Sequence, residues 1–439
     1  MKVYIETYGC QMNEYDSHVV GERLERAGHV LVREPDCADA VVVNTCSVRE
    51  RAEMRVLGRL RHLRGLIPSG CVLAVIGCVA QRLRKELLSL TPVDLVVGTD
   101  GYERLPELLE AAAETGGTVW TPVDGEESYD DRPAPGSAST TEFVAVMRGC
   151  NNYCTYCIVP YVRGRERSRP EASILSEVEA LVEHGARDVT LLGQNVNSYR
   201  SGERGFPELL RRVGATPGLR RLRFATSHPK DLSGDLIDAV ASIGTACEHI
   251  HLPVQSGSDA VLEAMGRSYD RRRYLDLVKS VRERMPTAAI TTDVIVGFPG
   301  ESELDYEATV SLMRSVRFDS AFMFRYSTRR GTAAASLDDD VTDPVKIERL
   351  QRIIELQKSI TWEINEQLVG DELEVLCEGP SHRDPGVLFG RTRTNKGVVF
   401  DGSAAPGDLV RVRVTEASAW TLRGTMTARS SSTEPGNGP

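Results

Sequence analysis

The feature that most constrains this chain is a repeated alternation of continuous apolar runs with amphipathic stretches. Residues 2–8, 40–45, 72–77 and 94–98 read as strands, and residues 15–27, 49–66, 81–90 and 102–113 as helices between and after them. Strands without a polar side must be buried on both faces. The alternation therefore predicts a parallel sheet covered by helices over residues 1 to 115. Residues 116–141 change character, with Asp124-Gly125-Glu126-Glu127 and Pro133-Ala134-Pro135-Gly136, and read as an acidic flexible linker.

From Phe143 the alternation resumes, with strands expected at 143–147, 188–192, 221–226, 249–253, 290–296 and 320–325. Six strand–helix units suit a partial or complete parallel barrel, and a helix over 345–369 closes the segment. Short strand-like runs at 372–377, 386–393, 397–400, 408–414 and 421–426 are separated by Gly, Pro and Asn, the pattern of a small all-β barrel. The tail 429–439 is polar and expected to be disordered. A chain of 439 residues is too long for one hydrophobic core, which agrees with several domains.

Formal net charge is -10, so a nucleic-acid-binding surface would have to be local. No secretion segment follows Lys2 and no apolar run is long enough to span a membrane, so a cytoplasmic, membrane-free protein is expected. In a reducing compartment, clustered members of the ten cysteines point to metal or catalysis rather than disulfides. No Gly-rich phosphate loop or H-E-x2-H zinc motif occurs.

Cys150, Cys154 and Cys157 form a C-x3-C-x2-C pattern in the loop after the first barrel strand. Three thiolates on one loop can wrap one face of a four-iron cluster and leave one iron open to a small molecule. The competing reading is a structural zinc knuckle, although no fourth Cys or His lies nearby in sequence. Cys10, Cys46 and Cys78 each follow a strand of the N-terminal sheet, at the edge where parallel sheets gather ligand-binding residues. They are read as a second three-thiolate site, against the alternative of buried structural cysteines.

The central motif, with Tyr156 at the aromatic position, resembles that of the radical S-adenosylmethionine (SAM) superfamily. The layout from Met1 to Ala428 resembles its methylthiotransferase branch. The segments that carry the resemblance include Thr7-Tyr8-Gly9-Cys10-Gln11-Met12-Asn13, Arg148 through Glu166, Thr226-Ser227-His228-Pro229 and Gly390 through Asn395. The resemblance implies an α/β chain of three folded parts. These are an N-terminal parallel-sheet cluster domain (1–115), a radical SAM partial (β/α)6 barrel (142–367) and a TRAM-like β-barrel (368–428).

It further implies two 4Fe-4S clusters, held by Cys10, Cys46 and Cys78 and by Cys150, Cys154 and Cys157. SAM bound at the open iron of the second would be cleaved to a 5′-deoxyadenosyl radical. The product implied is a methylthio group on C2 of N6-dimethylallyladenosine in tRNA, at a cost of two SAM. The partners implied are that tRNA and an electron donor such as flavodoxin or ferredoxin, and the chain is expected to be a monomer. Sister enzymes acting on threonylcarbamoyladenosine in tRNA or on a ribosomal protein are the alternative substrates. A non-catalytic, zinc-stabilised RNA-binding protein is the alternative of another class.

Tyr156 of the cluster loop, and Asn195, Ser227, Gln255 and Gly297 at the ends of barrel strands, are expected to contact SAM. The competing readings are a loop cap for Asn195 and a simple turn for Gly297. Arg163, Arg165 and Arg167 alternate beyond the cluster loop and would share one side if extended. They are expected, with Arg391 and Arg393 of the β-barrel, to meet RNA phosphates; a solvated or pairing charge run is the alternative.

Overall fold

The computed structural model describes residues 1–47, 50–123, 129–130 and 138–429. The N-terminal strands β1 (Lys2–Tyr8), β2 (Val30–Leu31), β3 (Ala40–Thr45), β4 (Val72–Gly77), β5 (Leu95–Val97) and β6 (Thr118–Trp120) form one parallel sheet in the order β2-β1-β3-β4-β5-β6. Helices α1 (Gln11–Arg26), α2 (Glu50–Leu66), α3 (Cys78–Leu83), α4 (Glu86–Leu90) and α5 (Leu105–Thr115) connect them. The apolar runs β3 and β4 are buried at every position. Their alternate side chains feed two separate cores, one containing Val42, Ala74 and Ile76, the other Val41, Val43 and Val75. Strand order reverses between β1 and β3, which opens a crevice above their C-terminal ends.

One expectation needs correction here. Thr118–Trp120 falls in the stretch read as linker, yet it pairs with β5 and adds an edge strand to the sheet. Downstream, the buried Tyr129 hydroxyl donates to Asp16, so the connector is anchored there. The acidic run 124–128, the Pro-rich run 131–137 and the tail from 430 lie outside the described residues.

The central domain begins with β7 (Thr141–Ala145) and β8 (Met147–Arg148), then α6 (Val159–Arg163), β9 (Arg167–Ser168), α7 (Glu171–Glu183) and β10 (Asp188–Leu192). A small hairpin of β11 (Arg200–Ser201) and β12 (Arg204–Gly205) precedes α8 (Phe206–Gly214), β13 (Arg221–Phe224), α9 (Gly234–Ser242) and β14 (His249–His251). There follow α10 (Asp259–Ala264), α11 (Arg271–Arg284), β15 (Ala289–Val296), α12 (Glu303–Val316), β16 (Ser320–Arg325) and the long α13 (Asp343–Glu366). Parallel triplets β7-β10-β13 and β14-β15-β16 are joined by a bridge between Leu222 and Ala246. Among the described residues β7 and β16 do not pair, so the six strands form an open arc, a partial (β/α)6 barrel.

Strands β17 (Glu372–Pro380), β18 (Leu388–Thr392), β19 (Gly397–Asp401), β20 (Leu409–Ala417) and β21 (Leu422–Arg429) close a barrel around Val375, Val398, Phe400, Val410 and Val412. Arginines from both sides dock it to the central domain. Arg393 donates to Glu248 at 2.8 Å and to the Gly244 carbonyl at 3.0 Å, while Arg223 of β13 donates to the Thr392 carbonyl at 2.8 Å. Arg391 pairs with Glu378 at 3.0 Å. Among the described residues no helix is long and apolar enough to cross a membrane.

Candidate active site: two cysteine trios at one domain junction

The first trio follows from strand register. Tyr8 pairs with Thr45, and Thr45 with Gly77, so the three chains leave the sheet side by side. Cys10 caps the start of α1, Cys46 follows β3 and Cys78 opens α3. A hydrogen bond from Cys46 pulls the Cys10 pKa down to about 6, aided by the Arg163 charge and the first backbone N–H groups of α1. Burial pushes the Cys78 thiol up, against the Arg163 charge. Behind the thiols an amide pair fixes the crevice. Asn13 Nδ2 donates to Asn44 Oδ1 at 3.0 Å, and Asn44 Nδ2 donates to the Asn13 carbonyl at 2.9 Å. Both amides are fully buried and both escaped the sequence reading. The only hint was their place near a cysteine, Asn13 three residues after Cys10 and Asn44 two before Cys46.

The second trio is wound on the loop after β8. Gly149 has φ +72° and a Cβ there would overlap the Arg165 carbonyl. The loop is held from the far side of the barrel, because Thr155 N–H donates to the Met265 carbonyl at 2.9 Å and its own carbonyl accepts from Ala334 at 2.8 Å. Arg267 Nη1 lies 3.4 Å from Cys154 Sγ, another contact that the sequence did not show. Burial pushes the Cys150 and Cys157 thiols up, Cys157 to about 12, with the neighbouring Cys154 adding to both. Gly149→Ala adds a left-handed strain of about 1–3 kcal/mol to that overlap. We expect it to lose the iron of this site, about four per chain, by iron and sulfide analysis after anaerobic purification.

The donor set fits an iron–sulfur cluster. Burial holds the Cys78, Cys150 and Cys157 thiols protonated while Cys10 is already inclined to ionise, and a cationic metal centre favours the thiolate. Among the described residues no three Cys, His, Asp or Glu side chains lie close enough to hold a single ion. Cluster ligands each take a separate iron and so stand farther apart.

The two trios meet. Cys78 packs directly on Ile158 and Val162, and Ile158 follows Cys157 in the chain. The junction is tied by Thr99 Oγ1 donating to the Val162 carbonyl at 2.5 Å and by Arg148 donating to the Thr99 carbonyl at 2.6 Å. Arg148 also pairs with Asp100 at 3.3 Å, both being nearly inaccessible.

The remaining expected residues divide. Asn195 gives Nδ2 to Asp231 at 2.7 Å, but its Oδ1 and the Ser227 hydroxyl are buried without a protein partner. Open buried polar atoms at the barrel mouth are what a polar ligand would satisfy. Tyr156 packs beside Phe298 and Tyr326 close to the cluster loop. Gln255 is buried with φ +69° and is held by backbone pairing to Asp293 and Ile295. At Gly297 the space left by the missing side chain is filled by Lys346, which accounts for the glycine by packing. The arginine run is not extended, because Arg163 ends the helix α6. Arg163 is 3% exposed and paired with Asp16 at 2.6 Å, which corrects its expected phosphate role. Arg167 pairs with Asp100 at 3.1 Å, and Arg165 is exposed.

Three family models match in series: the uncharacterized protein family UPF0004 at residues 2–98, the Radical SAM superfamily at 144–313 and the TRAM domain at 366–427. In its fold the chain is similar to the radical S-adenosylmethionine methyltransferase TsrM from Kitasatospora setae, with TM-score 0.55 and 15% identity over 85% of this chain and 80% of that one. Curated relatives are much nearer in sequence. The tRNA-2-methylthio-N(6)-dimethylallyladenosine synthase of Moorella thermoacetica is 46% identical over 96% of this chain and 97% of its own length. The enzyme of the same name from Porphyromonas gingivalis is 48% identical over 96% of this chain and 94% of its own length. With identity of this order along its whole length, the chain belongs to the tRNA-2-methylthio-N(6)-dimethylallyladenosine synthase family of the radical SAM superfamily.

Proposed function

We propose that this protein adds a methylthio group to C2 of N6-dimethylallyladenosine beside the anticodon of tRNA, with two 4Fe-4S clusters and two SAM per product. The observation that supports the reading is the cluster of Cys78 with Ile158 and Val162, which joins the N-terminal cysteine crevice to the segment that follows the Cys150–Cys157 loop. When bound, one cluster with SAM supplies a radical able to attack an unactivated aromatic C–H, and the other supplies the sulfur to be transferred.

The chain's own residues hold these groups in place and dry. Cys150, Cys154 and Cys157 hold the SAM-binding cluster, and Cys10, Cys46 and Cys78 hold the second. Asn195 Oδ1 and the Ser227 hydroxyl offer hydrogen bonds to SAM at the barrel mouth. Arg148, Asp100 and Thr99 seal the domain seam, which keeps water from a reactive intermediate. Arg165, exposed beyond the cluster loop, remains available to RNA phosphate. One electron must come from outside the chain, a task for a flavodoxin or ferredoxin.

The names of the relatives favour dimethylallyladenosine over threonylcarbamoyladenosine or a ribosomal protein as substrate. Mass analysis of tRNA nucleosides from a deletion strain tests this. The 2-methylthio-N6-dimethylallyladenosine signal should vanish and N6-dimethylallyladenosine accumulate. An intact signal would refute the assignment.

A further inference from the structure

The ion pair of Arg163 with Asp16 crosses the domain junction directly beneath the first trio. Asp16 lies on α1, the helix that Cys10 caps, and Arg163 ends α6, which follows the cluster loop of the core. Asp16 already accepts from Tyr129 and from Tyr102, the latter at 3.3 Å. Arg163 gives Nη2 to Asp16, whereas its Nη1 is buried with no protein partner. A buried donor left open is costly, so its presence points to something it serves. Next to it is the first trio. Cys78 packs in one cluster with Ile158 and with Val162, the residue before Arg163, and the Arg163 charge holds the Cys78 thiol down against burial.

We infer that Arg163, supplied by the core, is a positioning residue for the N-terminal centre, donating through Nη1 to the Cys78 thiolate or to a cluster sulfide and raising that centre's reduction potential. This rests on the reading that Cys10, Cys46 and Cys78 hold an iron–sulfur cluster. Hydrogen bonds to cluster sulfurs and nearby positive charge favour the more negative, reduced state. The Asp16 carboxylate acts in the opposite sense. The N-terminal centre is thus complete only when the core is docked against it.

The test uses the full-length chain carrying Cys150→Ala, Cys154→Ala and Cys157→Ala, so that only the N-terminal centre contributes. Iron per chain and the midpoint potential, from a redox titration followed by electron paramagnetic resonance, are the readouts. Asp16→Asn should raise the midpoint. Arg163→Met, introduced on top of Asp16→Asn so that no carboxylate is left buried alone, should lower it again with iron retained. Opposite shifts support the inference, since a purely structural disturbance would not reverse sign. An unchanged midpoint on adding Arg163→Met, a second upward shift, or loss of iron in the double variant would overturn it. Absence of iron from the starting variant would instead sink the cluster reading beneath it.

Discussion

Cys154→Ala stops formation of 5′-deoxyadenosine from SAM, down to the background of uncatalysed decay. Cys154 is the middle member of its trio and buried, and it receives Arg267 at 3.4 Å. Its loss leaves two thiols to hold one face of a cluster and leaves Arg267 facing a methyl group in a closed space. Iron should fall from about eight to about four per chain, because the N-terminal trio is untouched. Chromatography of 5′-deoxyadenosine with a chemical reductant, beside iron analysis of the same sample, reads both quantities. Substantial cleavage by the variant would remove Cys150, Cys154 and Cys157 as the site of SAM chemistry.

Cys46→Ala separates the two halves of the reaction. We expect SAM cleavage to persist and the methylthio product to disappear. Cys46 belongs to the sheet crevice, outside the barrel mouth, and its hydrogen bond is the main cause of the low Cys10 pKa. The substitution therefore removes one ligand and makes a second less ready to ionise. Measuring 5′-deoxyadenosine and modified nucleoside in one assay decides the matter. Wild-type product yield from this variant would contradict the division of labour.

How much of this could be read in the sequence depended on the range of the signal. The apolar runs announced the buried strands, since nothing polar could survive at those positions; β1, β3 and β4 begin and end where expected. The six cysteines were visible because each sits at a strand end or in a tight local pattern. β6 was missed because three residues carry no measurable period. The start of α1 at Gln11 was missed because its first turn is polar and its cap is a cysteine, an unusual capping residue. The arginines were misjudged for a different reason. An alternating run predicts one face only if extended, and a helix over Val159–Arg163 turned Arg163 inward. Its partner Asp16 is 147 positions away, and Glu248, which binds Arg393, is 145 away. Such pairings are decided by tertiary packing, which local sequence does not encode.

The ties at Asp16, Asp100 and Thr99 bear on how RNA gains entry. Prising the N-terminal sheet from the barrel would break two buried ion pairs and the hydrogen bonds of Thr99 to Val162 and of Arg148 to Thr99 at once. We therefore expect this seam to stay shut when RNA binds, with the spacing of the two cysteine trios set before substrate arrives. The nucleobase has to do the travelling, swinging out of its stack to reach them, so a target adenine locked in a rigid duplex should be left unmodified.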